Sequence, residues 1–224
     1  MTEPGKIPST TVEEKPSLTR RELLSVLTLG FAIAGVATGI VLFTGKPKPA
    51  TSAASSLDKP RALIAFNLVE RSGRPITQAE LAGNFLVVNF VFTGCSLSCR
   101  AVNDRMAEIQ DLVADVPDVR LVSLTVDPRS DTPAALTTFA NSFKADPNRW
   151  LFLTGDKAEV YRLIETSFIT KSPELEQMIP GGFTGTDRIM LVDPRGKVFA
   201  SFNGLKQEVA ASVVAEITKR RKAM

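Results

Sequence analysis

The sequence predicts an α/β fold with a sheet that is largely parallel at its centre. Three observations carry this. Short apolar runs rich in β-branched and aromatic residues recur through the later part of the chain, the segments between them have helical periodicity, and one run, "VVNFVF" at 87–92, is apolar on both faces. Strands alternating with helices build such sheets, and a strand covered on both sides reads as continuous hydrophobicity.

The chain of 224 residues begins with a short polar segment, 1–22, followed by "LLSVLTLGFAIAGVATGIVLF" at 23–43, 21 residues without a charge. That length matches the ~20 residues a helix needs to cross a bilayer. Arg20 and Arg21 abut its N-terminal side, with Lys6 and Lys15 upstream and only Lys46 and Lys48 close behind. The positive-inside rule then puts residues 1–22 in the cytoplasm and the bulk of the chain in the periplasm or another extracytoplasmic space. A cleaved signal peptide is the competing reading, since "ATSAAS" at 50–55 offers small residues, but signal h-regions are usually only ~7 to 15 residues long. Gly35 and Gly39 form a G-x-x-x-G that needs no role beyond toleration in such a helix. Residues 44–60, rich in Pro, Ala, Ser and Thr, read as a flexible linker, and 61–224 as one folded domain.

Within 61–224 the expected strands are "ALIAFNLVE" (62–70), "FLVVNFVF" (85–92), "RLVSLTVD" (120–127), "RWLFLTG" (149–155) and "DRIMLVD" (187–193). Helices are expected after Gly94, where Leu97, Val102, Met106, Ile109 and Val113 recur at helical spacing, after Thr132-Pro133, which resembles an N-cap with proline at the first helical position, and after Asp156, which with Glu159 resembles a capping box. The last helix gathers its "KRRK" at the C-terminal end, where the helix dipole favours cations, so that run needs no ligand to explain it.

Composition narrows the chemistry. The 27 Lys and Arg are interspersed with 24 Asp and Glu, for a net charge of +3, which argues against nucleic acid as a partner. The chain has no histidine, which removes Ser-His-Asp and Cys-His catalysis, His-ligated zinc and imidazole proton transfer. It has two cysteines, Cys95 and Cys99, in "FTGCSLSCRA". They lie after the expected central strand and at the start of the expected helix, where ligands of open α/β sheets gather and a thiolate is favoured. Spacing on a helical turn puts the α-carbons about 6 Å apart, within the range for a disulfide. Reduced, the pair offers two soft ligands suited to Cu(I). The residues alone leave disulfide chemistry, metal binding and an inert pair open.

The segment from Phe66 to Lys206 resembles the Sco/SenC family through "FNLVERSGRPITQAELAGNFLVVNFVFTGCSLSC", "LVSLTVDPRSDTPAALTTFA", "RWLFLTGDKAEVYRL" and "RIMLVDPRGKV". The resemblance implies a thioredoxin-like fold, a central mixed sheet flanked by helices with an opening hairpin, held to a membrane. It further implies work on cytochrome c oxidase assembly, on the subunit that carries the dinuclear copper site, by thiol-disulfide exchange or Cu(I) delivery through the cysteine pair. In that family a histidine completes the copper site. Its position here falls at or next to Gly185 in "GGFTGTDR", and the prolines that usually follow the two cysteines are Ser96 and Arg100. Arg100 would place a cation beside the second thiol. Met178 and Met190 are candidates for a third soft ligand, although methionines at such positions are more often core filler. Asp127 and Asp131 of "VDPRSDTP" are secondary candidates, with a strand end and a turn or helix cap as their plainer explanation. Gly181, Gly182 and Gly185 make a flexible loop expected to face the cysteines, and Trp150 reads as core packing. Two other functions compete: a degenerate binding module without metal or redox activity, and a thiol peroxidase, whose threonine-x-x-cysteine setting is replaced by Phe92 three residues before Cys95.

Overall fold

Alternation along the strands decides which helices cover which face of the sheet. The computed structural model describes residues 61–94, 97–168 and 187–224, with the backbone alone at 97–99. Its elements are β1 (Arg61–Ala62), β2 (Asn67–Glu70), β3 (Pro75–Thr77), α1 (Gln78–Leu81), β4 (Phe85–Val91), α2 (Leu97–Leu112), β5 (Val119–Thr125), α3 (Pro133–Ser142), β6 (Trp150–Thr154), α4 (Lys157–Ser167), β7 (Arg188–Val192), β8 (Lys197–Asn203) and α5 (Val209–Lys222). The strands form one mixed sheet in the order β1-β8-β7-β4-β5-β6-β2-β3. β4, β5 and β6 are parallel, joined by the crossovers that carry α2 and α3, and antiparallel strands flank them on both sides.

All seven residues of β4 are buried. Phe85, Val87 and Val91 point to one face, where Val102, Met106 and Ile109 of α2, Leu136 and Ala140 of α3 and Val209, Val213 and Ile217 of α5 pack. Leu86, Val88 and Phe90 point to the other, against Val160, Leu163 and Ile164 of α4. This is the period-two rule applied to a strand with a hydrophobic layer on each side. Each of these side chains other than Ala140 contributes about 1.5–3 kcal/mol through its removal from water.

The run expected as one strand at 62–70 is two. β1 pairs with β8 at one edge, and β2 pairs with β6 and β3 near the other. Between them the chain leaves the ladder and bonds elsewhere: Leu63 N–H to the Gly196 carbonyl (2.7 Å), Ile64 N–H to Ser167 Oγ (3.1 Å) and the Arg162 guanidinium to the Ala65 carbonyl (2.9 Å). β2 and β3 form the hairpin that the family resemblance implied.

The helix starts follow the expected caps with one change. Thr132 Oγ1 accepts from Ala135 N–H ahead of Pro133 at the first helical position. Asp156 accepts from Ala158 N–H (2.9 Å) and Glu159 N–H (3.1 Å). Glu159 does not complete a box with it. Its carboxylate is taken by Arg162 (2.7 Å) and by Asn67 N–H of β2 (3.3 Å), because a side chain that can reach a cation satisfies more of its acceptor capacity there. A reciprocal box does occur at Thr77 and Glu80, at the start of α1.

The basic end of α5 serves the fold. Arg221 pairs with Asp118 (2.6 Å), and Arg220 with Asp193 (2.6 Å), which is 2% exposed and also accepts from Arg195 N–H and Lys197 N–H (both 3.0 Å) in the turn between β7 and β8. Burial works to raise the Asp193 carboxyl, but the bonds from Arg220, Lys197 and Arg195 outweigh it and hold the group below the ordinary carboxylate value. The stabilisation is therefore complete above the unfolded pKa of about 3.9 and disappears as pH falls through the lower native value. Asp193→Asn should lower unfolding free energy by about 1–3 kcal/mol at pH 7 in urea titrations. The deficit relative to the native protein should shrink below pH 3, and a deficit that does not change with pH would mean that the ionised carboxylate is not its source.

Candidate functional site

β4 ends at Val91, and its next three residues, Phe92, Thr93 and Gly94, turn the chain toward α2. Val126 N–H donates to the Val91 carbonyl (2.9 Å), so the ends of β4 and β5 stay paired beyond the ladder. The described helix begins at Leu97, which places Cys99 in its first turn. Cys95 lies outside the described residues, as do Ser96, Met178, Gly181, Gly182 and Gly185. The predicted membrane segment at 23–43 lies outside them too, and among the described residues no helix is long and apolar enough to cross a membrane.

Of the two secondary candidates, Asp131 is the one that touches the cysteine turn. It is 0% exposed. Its Oδ1 accepts from Thr93 N–H (3.0 Å) and from the Thr93 hydroxyl (2.6 Å), and its Oδ2 accepts from the Thr125 hydroxyl. A fully buried carboxylate is tolerable because donors surround it. Capping of α3 falls to its neighbour Thr132, so the turn-or-cap explanation covers the backbone of Asp131 and not its carboxylate. Asp127 is half-buried and acts through its main chain: its N–H donates to Thr125 Oγ1 (2.9 Å), and its carbonyl accepts from Ser130 and Asp131 N–H.

A second buried polar chain lies under the first half of α2. The indole N–H of Trp150 donates to Ser123 Oγ (2.8 Å), Ser123 donates to Asn89 Oδ1 (2.6 Å), and the Asn89 amide donates to Asn103 Oδ1 (3.2 Å). All four residues are fully buried. Sequence reading missed this role for Asn89, Ser123 and Asn103. The available signal was an asparagine within an otherwise apolar central strand, since a buried amide must find partners. Trp150 packs in the core as expected, and its N–H explains why a tryptophan sits in that position.

Other expectations are redirected. Met190 is 2% exposed and packs with Val88 and Phe90 on the face covered by α4, whereas α2 covers the opposite face. It is a core residue and not a third ligand. The Arg100 guanidinium carbon sits 5.5 Å from the centre of the Phe143 ring at the end of α3, a cation–π contact. Gly204 marks a close approach that sequence did not reveal. Its N–H donates to the Asp187 carbonyl (2.7 Å), and a Cβ there would lie 2.8 Å from that oxygen and 2.9 Å from Val102 Cγ1. Asp187, two residues after Gly185, is thus held close to Val102, three residues after Cys99. Among the described residues no group of three potential metal ligands occurs.

Comparison with known proteins agrees with this arrangement. The SCO1/SenC family matches residues 54–221. A SCO1 protein homolog of Bacillus subtilis (strain 168) is 30% identical over 156 residues, covering 68% of this chain and 79% of that one. Two solved structures share the fold. BsSco, described with a disulfide switch and as a member of the Sco family of cytochrome c oxidase assembly proteins, superposes with a TM-score of 0.61 at 27% identity, covering 75% of this chain and 96% of that one. ScoI of Bradyrhizobium japonicum with copper bound gives 0.55 at 25% identity, covering 69% and 98%. The family match runs from ahead of β1 to the last turn of α5 and takes in the turn after β4, the Asp131 loop and α2; the chain belongs to the SCO1/SenC family.

Proposed function

We propose that this chain is a membrane-anchored, extracytoplasmic factor in cytochrome c oxidase assembly that works through the Cys95–Cys99 dithiol on the cysteine ligands of the subunit carrying the dinuclear copper site. What supports this reading is that Cys99 falls in the first turn of α2, shortly after the turn that leaves β4, in a domain of the SCO1/SenC family whose sequence puts Cys95 four residues earlier. The disulfide switch named for BsSco and the copper bound to ScoI support the two chemistries such a pair can perform. Residues 23–43 would hold the domain to the membrane, with 1–22 on the cytoplasmic side.

In the exchange step the Cys95 thiolate attacks one sulfur of a partner disulfide, forming a mixed disulfide and releasing one partner thiolate. Cys99 then attacks Cys95 Sγ, which releases the second partner thiolate and leaves a Cys95–Cys99 disulfide. The partner gains two electrons and the dithiol loses two. A helix N-terminus favours the attacking thiolate. Copper is cargo in this scheme. Two thiolates are suitable donors for Cu(I); the chain has no histidine and Met190 is on the wrong face, so the two sulfurs would be the principal donors, with Met178 as the remaining methionine candidate, and a site so sparsely liganded would pass its ion readily to the partner's ligands.

Anaerobic titration of reduced full-length protein in detergent, with Cu(I) buffered by a competing chelator, should show one ion per chain, abolished by Cys95→Ser with Cys99→Ser. Absence of binding in the native chain would remove the cargo role and leave the redox role alone. Gly185→His should tighten Cu(I) binding at least tenfold in the same titration, since an imidazole there would supply a third ligand. An unchanged affinity would mean that the 181–186 loop does not approach the sulfurs.

A further inference from the structure

Ser123 and Thr125 are two residues apart on β5, so their side chains point to the same face of the sheet, the one covered by α2, and both are fully buried. Each begins a hydrogen-bond path to one end of the cysteine segment. The Thr125 hydroxyl donates to Asp131, which takes both the N–H and the hydroxyl of Thr93, two residues before Cys95. The Ser123 hydroxyl donates to Asn89, whose amide donates to Asn103, one helical turn after Cys99. Around these paths the same face is apolar, with Val91, Val102, Leu121 and Phe152 in its core. Alanine or valine could fill the volumes of Ser123 and Thr125, so packing alone does not demand hydroxyls at these two positions. What the hydroxyls add is a defined geometry, because a fully satisfied buried network has few alternative arrangements.

We propose that Ser123 and Thr125 are positioning residues for the Cys95–Cys99 pair, anchoring the two ends of its segment to one strand and thereby setting the stability of its disulfide. The inference rests on the dithiol reading given above. Anchored ends reduce the conformational freedom that is lost when the two sulfurs join. Releasing either end makes the disulfide less stable relative to the dithiol, which raises the reduction potential.

The test equilibrates full-length protein in detergent with glutathione redox buffers. In this exchange two glutathione thiols reduce the disulfide to the dithiol and become glutathione disulfide, with two electrons and two protons passing to the protein. Alkylation of free thiols reports the position of equilibrium. Thr125→Val and Ser123→Ala should each shift it toward the dithiol by tenfold, about 30 mV for a two-electron couple. Thr125→Ser, which keeps the hydroxyl, should stay near the native value. Folded variants that lose stability in urea but keep the native equilibrium would overturn the proposal. A native chain with no cysteine-dependent equilibrium would instead overturn the dithiol reading, and this proposal with it. If Thr125→Val does not fold, Thr93→Val, which removes one of the three bonds to Asp131, carries the same test with the same two outcomes.

Discussion

The carboxylate of Asp131 ties together three pieces of chain: the turn after β4, the end of β5 and the loop that leads into α3. It is buried, and the hydroxyls of Thr93 and Thr125 with the N–H of Thr93 supply its donors. Polar oxygens in such a place are tolerated only while these donors stay aimed at them. The geometry of the cysteine turn therefore follows from the parallel pairing of β4 with β5, which brings Val91 beside Thr125 and both strand ends to one level. The core layers on either side of β4 fix that pairing, so packing deep in the domain is transmitted to the turn that precedes the cysteine segment through a small number of polar bonds.

Much of this was readable from the residues. The central strands, the crossover helices and two of the helix starts follow from hydrophobic period and capping chemistry, and the domain's family from its internal motifs. The failures are tertiary in origin. The run at 62–70 has the composition of a single strand, but its middle is drawn out of the ladder by Gly196, Ser167 and Arg162, which lie far away in sequence. Glu159 has the position of a capping residue, yet Arg162 and Asn67 compete for it. Met190 could be judged only once the face it occupies was known, because strand period assigns alternation and not which helix lies above. Asn89 was legible in principle as a polar residue in an apolar strand, whereas Gly204 carried no local signal, since its need arises from the approach of Asp187 and Val102.

The donor set bears on what a chain of this family can do when it lacks histidine. Two thiolates complete a dithiol–disulfide couple without help, but they leave a copper ion short of the third ligand that would hold it firmly. Exchange chemistry therefore needs only groups present in the chain, and copper transfer would draw on the ligands of the acceptor. Arg100 is directed to Phe143, and Arg220 and Arg221 are committed to Asp193 and Asp118, so these cations serve the fold first.

The central claim, that Cys95 attacks a partner disulfide and Cys99 resolves it, is tested most directly by trapping the intermediate. Full-length Cys99→Ser protein would be mixed with the oxidised copper-binding domain of the oxidase subunit and analysed without reductant. The account predicts a covalent one-to-one adduct that dissolves on reduction and is absent when Cys95 is also replaced by serine. No adduct, or an adduct that forms without Cys95, would contradict it.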